Sequence, residues 1–287
     1  MLIAQAQDFV YIPTRHELCH SKGVRQTILM HTYKEVRPLE RQCDLFSSFK
    51  TIMNTEVLNA ELEKQRRLLS QRFALGRSQL DIPGGPLSIT HVQNPDLLLD
   101  ELAEAPDSDP RVQDERLPYW AWIWPSALAL AKHVRASEGD LKDKQVLEIG
   151  CGLGVPGIAA LAHTDQVTFS DYSEDALEFA AMNAKLNGAR SPRTALVDWR
   201  EPPEGLRADV ILASDVAYET RFFDPLRKFF RQVLKPDGVI MLSEPCRNIA
   251  SPFFKMLEND GWVFRYREEE VIHDDTWAQV RIYRIHR

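Results

Sequence analysis

Cysteine is scarce and scattered: Cys19, Cys43, Cys151 and Cys246 are the only four in 287 residues, and no two form a CxxC pair. That excludes a disulfide framework and predicts reduced thiols in a cytoplasmic compartment. No apolar run approaches ~20 residues, so no segment reads as a membrane span. Met1–Ile12 has no basic start and holds Gln5, Gln7 and Asp8, which makes a poor secretory signal. A positive balance is missing too. The net charge of −7 argues against a chain that coats nucleic acid over its whole surface. There is no internal repeat and no low-complexity tract. What remains is an ordinary globular composition, 44% hydrophobic and 27% charged.

The charge is unevenly spread. Residues 1–80 hold 12 Lys and Arg against 8 Asp and Glu, whereas residues 81–287 hold 23 against 34. Such a split suggests two parts with different jobs, or one working part and an appendage. We divide the chain into an N-terminal extension, 1–52, without sustained periodicity; a lead-in, 53–117; and a core, 118–287. In the lead-in, Leu58, Leu62, Leu69 and Phe73 predict a helix over Thr55–Phe73, with Gly76 as its stop. Pro83-Gly84-Gly85-Pro86 is a turn, Leu87–Val92 a strand and Pro95–Leu102 a short helix. The acidic, proline-interrupted stretch Glu104–Arg116 reads as an exposed loop. His16-Glu17-Leu18-Cys19-His20 fits H-E-x-x-H, but Pro13 and Gly23 confine any helix there to about two turns, so no zinc site is expected. The basic residues of 1–80 have three readings: a solvated extension, a docking arm for an acidic partner, or a stretch left partly untranslated by a start at Met53, just before the first convincing helix.

From Pro118 the pattern changes. Three tryptophans fall in the five residues Trp120–Trp124, and Pro125 opens a helix to about Ala136. Strands are predicted at Gln145–Ile149, Val167–Ser170, Thr194–Val197, Val210–Ala213 and Val239–Ser243. Helices alternate with them at Val155–Ala162, Glu174–Leu186, Phe222–Leu234 and Pro252–Asp260. This order implies a parallel sheet covered on both faces. Trp262–Glu268 and Trp277–Ile285 have no helix between them and should pair antiparallel at one edge.

The stretch Val146–Gly157 is a strand, a glycine turn and a helix start: glycines let the backbone turn sharply and touch a ligand. Gly152–Gly157 fits G-x-G-x-x-G, with Asp171 at the next strand end, so a dinucleotide oxidoreductase is a competing reading. Three features oppose it. Glu148, two residues before the first glycine, suits a cationic ligand. No Lys or Arg lies between Glu148 and Lys185. The terminal antiparallel pair leaves no second βαβαβ half.

From about Pro118 onward the chain resembles the class I, seven-stranded S-adenosylmethionine-dependent methyltransferases. The features are E-I-G-C-G-L-G at Glu148–Gly154 and the terminal strand pair. More narrowly it resembles the lysine branch of the methyltransferase-like proteins, family 16. That likeness rests on Trp124 in W-P-S-A-L-A-L-A, Trp199 after Asp198, and Asp215-Val216-Ala217-Tyr218. Ser243-Glu244-Pro245-Cys246-Arg247 is similar to the D-P-x-R of the branch acting on an electron-transfer flavoprotein subunit. The resemblance implies an α/β, Rossmann-like methyltransferase fold: a mostly parallel seven-stranded sheet, an antiparallel C-terminal strand pair and helices on both faces.

It also implies residue roles. Gly150, Cys151 and Gly152 form the cofactor turn, Cys151 through its backbone. Asp171 holds the ribose hydroxyls, although Asp171 or Ser173 could instead cap the following helix. Asp198 and Trp199 face the adenine, or Trp199 simply covers the sheet edge. Trp124 and Ser214 meet the cofactor. Trp120 and Trp124 share a face if their segment is helical and Trp122 points away, so at least one of the three should be core. Asp215 and Tyr218 sit over the reactive methyl, with Asp215 orienting a substrate amine and accepting its proton; a turn cap and a packed ring are the plainer roles. No metal is required. The implied activity is methylation of a lysine on a protein partner by a monomeric cytoplasmic enzyme, with no membrane or nucleic-acid partner. The alternatives are a small-molecule N-methyltransferase acting on an amine or pyridine nitrogen, and a non-catalytic cofactor-binding module.

Overall fold

The computed structural model describes residues 57–274 and 276–287. The extension 1–52, the His16–His20 motif and Met53 lie outside them. Helix α1 (57–70) half-buries Leu58 and Leu62 and buries Leu69, the face that the spacing predicts. It ends before Phe73, and Gly76 is not its stop. Gly76 lies in strand β1 (Leu75–Leu80), opposite His91 of β2 (Leu87–Val92), where a Cβ would collide with the imidazole. The Pro83–Pro86 turn joins these two strands into a separate antiparallel hairpin.

Helix α2 (Asp96–Ala103) follows. The acidic stretch expected as an exposed loop instead carries a one-turn helix, α3 (Pro110–Gln113), capped by Asp109, which accepts from the Arg111 N–H at 2.8 Å. Its charges are paired locally and to the core, so composition alone misread it. The tryptophan segment is a short 3-10 turn over Tyr119–Ala121, then extended chain into α4 (Pro125–Arg135) and α5 (Glu138–Leu141).

The alternation then follows as expected, with bounds shifted by a few residues: β3 (Val146–Ile149), α6 (Val155–Ala160), β4 (Val167–Asp171), α7 (Glu174–Leu186), β5 (Arg193–Leu196), β6 (Ala208–Ser214), α8 (Phe223–Val233), β7 (Leu234–Glu244), α9 (Ser251–Asn259), β8 (Val263–His273) and β9 (Thr276–His286). The seven-stranded sheet has the order β5-β4-β3-β6-β7-β9-β8. Strands β3 to β7 pair in parallel, and β9 runs antiparallel to both β7 and β8.

Two apolar layers cover this sheet. Val146, Val210 and Leu212 pack with α4, α6 and α7 on one face, and Leu147, Ile149 and Ile211 with α8 and α9 on the other. That is the period-two alternation of buried strands. Strand order reverses between β3 and β6, and open α/β sheets bind ligands in the crevice beyond the carboxyl ends at such a switch point.

Candidate active site

A cavity of about 360 Å³ lies there, within the usual range of small-molecule sites. Its floor is the turn after β3. Gly150, Gly152 and Gly154 all have positive φ (53°, 49° and 80°), which side chains rarely adopt. A Cβ on Gly150 would stand 3.2 Å from the Trp199 ring, and one on Gly152 3.1 Å from the Trp120 carbonyl oxygen. Positive φ, together with the Trp199 ring at Gly150 and the Trp120 backbone at Gly152, keeps the turn free of side chains at these positions.

Of the eleven residues singled out from sequence, nine border this cavity: Trp124, Gly150, Cys151, Gly152, Asp171, Trp199, Ser214, Asp215 and Tyr218. Two do not. Glu148 is buried beneath the turn, where its Oε2 accepts the Gly157 N–H at 3.0 Å. Strand alternation points it at α6 instead of at the strand end, so it braces the helix start, and burial pushes its carboxyl well up. Asp198 borders a smaller adjoining pocket and is engaged by Arg200 at 2.9 and 2.5 Å. Burial works to raise its carboxyl, but Arg200 outweighs it and holds Asp198 below the usual range. Arg200 also makes a bidentate pair with Asp114, both bonds at 2.7 Å.

All three tryptophans border the cavity, against the expectation that they diverge. Trp120 sits in the 3-10 turn and Trp122 and Trp124 in extended chain, so the α-helical face rule does not apply. Tyr119 packs edge-on against Trp122, Trp124 and Tyr218, and the Trp124 Nε1–H donates to the Tyr119 carbonyl at 2.9 Å. The cap of α7 is Ser173, which accepts from the Ala176 N–H. Asp171 is thereby freed for the cavity. It accepts N–H bonds from Gly152 and Ser173, both at 3.0 Å, and burial pushes its carboxyl to about 6. Burial also pushes up the Cys151 thiol, which leaves it unreactive.

Asp215 follows β6, buried, and Arg247 grips its carboxylate with both Nη atoms. Burial raises the Asp215 carboxyl and Arg247 works against it. The phenol of Tyr218 is raised, first by burial. Arg247, Tyr119 and Tyr172 also border the cavity, although the sequence pattern assigns none of them a place in the site. Their signals were present: Tyr172 directly follows Asp171, and Tyr119 opens the tryptophan cluster.

A family model described as lysine methyltransferase matches residues 113–260. The chain is 32% identical over 127 residues to a histidine protein methyltransferase 1 homolog of Dictyostelium discoideum, covering 42% of this chain and 41% of that one. It is 30% identical over 178 residues to protein N-lysine methyltransferase METTL21A of Danio rerio, covering 59% and 78%. To the electron transfer flavoprotein beta subunit lysine methyltransferase of Danio rerio it is 30% identical over 132 residues, covering 45% and 51%. It thus spans about half the length of most curated relatives it matches.

Proposed function

The chain belongs to the lysine methyltransferase family, and from that premise we propose that it is an S-adenosylmethionine-dependent enzyme that methylates a lysine of a protein substrate. The observation carrying this reading is one aromatic-walled cavity at the switch point that holds two buried carboxylates, Asp171 and Asp215. Aromatic faces and carboxylates together favour cationic ligands. The residues present fit the cosubstrate: bare backbone at Gly150–Gly152, a buried carboxylate at Asp171, the Trp199 ring and Ser214 would hold it.

When bound, S-adenosylmethionine supplies a methyl on a cationic sulfonium: the amine lone pair forms the new N–C bond, the C–S bond breaks, and its electron pair stays on sulfur. The chain's own work is positioning and electrostatics. Asp215 draws the lysine side chain in and orients its nitrogen. Tyr218 and Tyr119 wall the approach and exclude water. The amine must react neutral, because an ammonium has no lone pair, and its proton leaves to solvent. Scattered cysteines support a reducing, cytoplasmic setting.

The test is incubation of an extract from cells lacking the protein with isotopic S-adenosylmethionine and either wild type or Asp215→Ala, the variant first checked for folding by circular dichroism. We expect one labelled protein band, absent with the variant, with label recovered as methyl-lysine after hydrolysis. Label confined to small molecules, or calorimetry showing NAD binding without S-adenosylhomocysteine binding, would overturn the reading.

A further inference from the structure

The grip of Arg247 on Asp215 is built into the backbone on both sides. Asp215 stands in the left-handed region (φ 56°), its N–H donating to the Ser243 carbonyl at 2.9 Å. Cys246, directly before Arg247, is left-handed as well (φ 61°). Non-glycine residues hold such conformations only where their surroundings over-determine them, and such sites cluster at functional centres. Glu244, buried at the end of β7, accepts the Arg247 N–H with both carboxylate oxygens, at 3.0 and 3.1 Å. Two strained turns and a buried anchor thus deliver the guanidinium fork onto the carboxylate. Among the described residues bordering the cavity, Arg247 is the one Lys or Arg.

We propose that Arg247 is a positioning residue for methyl transfer: it holds Asp215 ionised and oriented, and it cancels the charge that would otherwise keep the substrate lysine protonated. This rests on the reading that an amine is the acceptor.

A buried carboxylate on its own drifts towards the neutral acid, which attracts no ammonium. An ionised carboxylate without a partner has the opposite fault, because it stabilises the ammonium and so suppresses the reactive amine. The ion pair avoids both. A carboxylate offers about four lone-pair sites. The fork takes two and Ser126 addresses a third, which leaves one for an N–H of the amine. Asp215 then orients the nitrogen and stores no proton. The polar groups facing Asp215 are Arg247 and Glu244 around the end of β7, the Tyr218 phenol in its own loop, and Ser126 on α4. Glu244 is a second anion, which increases the need for the cation.

The experiment uses the full chain as wild type, Arg247→Gln, Arg247→Lys and the double variant Asp215→Asn/Arg247→Gln. Thermal unfolding is followed from about pH 5 to about pH 8 without substrate. Arg247→Gln should lose more stability at the upper end, where the orphaned carboxylate must ionise, and adding Asp215→Asn should abolish that dependence. Methyl transfer to the labelled protein is then timed against pH. Arg247→Gln should fall about tenfold near neutrality, with the acid limb moved up by about one pH unit so that the deficit shrinks in alkali. Arg247→Lys, which restores the charge without the fork, should recover the pH profile and only part of the rate, with S-adenosylhomocysteine affinity unchanged throughout. A deficit by the same factor at every pH, with a pH-independent loss of stability, would overturn the proposal. So would an unchanged rate. If the wild type labels no protein, the amine-acceptor reading fails and takes the catalytic role with it; the unfolding series then still reports separately on the ion pair.

Discussion

Asn183 on α7 is bonded to Thr90 on β2 in both directions: its Oδ1 accepts the Thr90 N–H at 2.8 Å, and its Nδ2 donates to the Thr90 carbonyl at 3.0 Å. Asn187, one turn on, does the same with Ser88 at 3.0 and 2.8 Å. Two asparagines four apart on a helix thus meet two alternate residues of a strand and act as its missing neighbour. The Asn183 Nδ2 also donates to the Leu153 carbonyl, at 3.1 Å, in the glycine turn. The lead-in hairpin is in this way tied to the floor of the active site.

Asn183→Ala should therefore be severe. Asn183 is fully buried, and its loss strands three buried backbone groups. At roughly 1–3 kcal/mol for each unsatisfied group, partly relieved by water, a loss of about 3 kcal/mol is expected. Urea unfolding measures it. Asn187→Ala, at a half-buried site, should cost about 1 kcal/mol by the same reasoning.

Asp171 makes the site respond to pH. Its carboxyl titrates near 6 in the folded protein because burial raises it from 3.8. A raised folded value means that stability is fully present below the unfolded value and declines as pH rises through about 6. Two units correspond to roughly 3 kcal/mol lost from the free protein by neutral pH. The same ionisation readies the carboxylate to accept hydroxyl donors, so S-adenosylhomocysteine should bind more tightly as pH passes upward through 6. In Asp171→Asn the affinity measured by calorimetry between pH 4 and 8 should flatten, and affinity at pH 7 should fall about tenfold, the worth of one charge-assisted bond. The loss of thermal stability with rising pH should shrink, while the part due to the buried Glu148, Asp215 and Glu244 carboxyls remains. A pH dependence of affinity that survives the substitution, or a fall in stability with rising pH that does not shrink, would refute this.

Gly157→Ala tests the buried brace beneath the site. A methyl there would strike Glu148 Oε2 and the Phe169 ring. Overpacking of this kind costs about 1–3 kcal/mol, and here it also pushes a buried carboxyl off its only hydrogen-bond donor among the described residues. We expect unfolding at markedly lower denaturant, with partial recovery in Glu148→Gln/Gly157→Ala. A loss of cofactor affinity without loss of stability would instead place Glu148 in ligand binding.

The segment around α3 is clasped by arginines. Arg200 bridges Asp114 and Asp198, and Arg221 donates to the Asp114 and Glu115 carbonyls at 3.1 and 3.2 Å. Leu117, just beyond, lines the cavity and is met by the Tyr172 hydroxyl. These pairs are largely exposed, so Arg200→Ala or Arg221→Ala should change stability by less than about 1 kcal/mol. Ligand release should respond more. In the wild type, S-adenosylhomocysteine dissociation followed by tryptophan fluorescence should accelerate with salt. In the double variant it should be fast at low salt already, with little further change.

Much of this could be read along the chain because it is set locally. A strand ending in glycines with positive φ, followed by a helix start, needs no distant partner to be recognised. Period-two and 3.6-residue patterns likewise placed the alternating core elements and the terminal strand pair. The failures are of another kind. An α-helical face rule fails for Trp120, Trp122 and Trp124 because a 3-10 turn gives way to extended chain there, and β1 is masked in the sequence by a glycine that reads as a helix stop.

The order of elements, the switch-point turn and the acids near its strand ends were thus determined by sequence alone, since each depends on backbone preference over a few residues. Only the tertiary structure decided which of those acids reach the cavity. Glu148 is turned away by strand alternation against α6. Asp198 is taken up by Arg200, itself paired with Asp114 86 residues away, and Asp215 is held by Arg247 32 residues away. Charge partners are chosen by packing that brings distant segments within hydrogen-bond reach, and no local propensity encodes that distance.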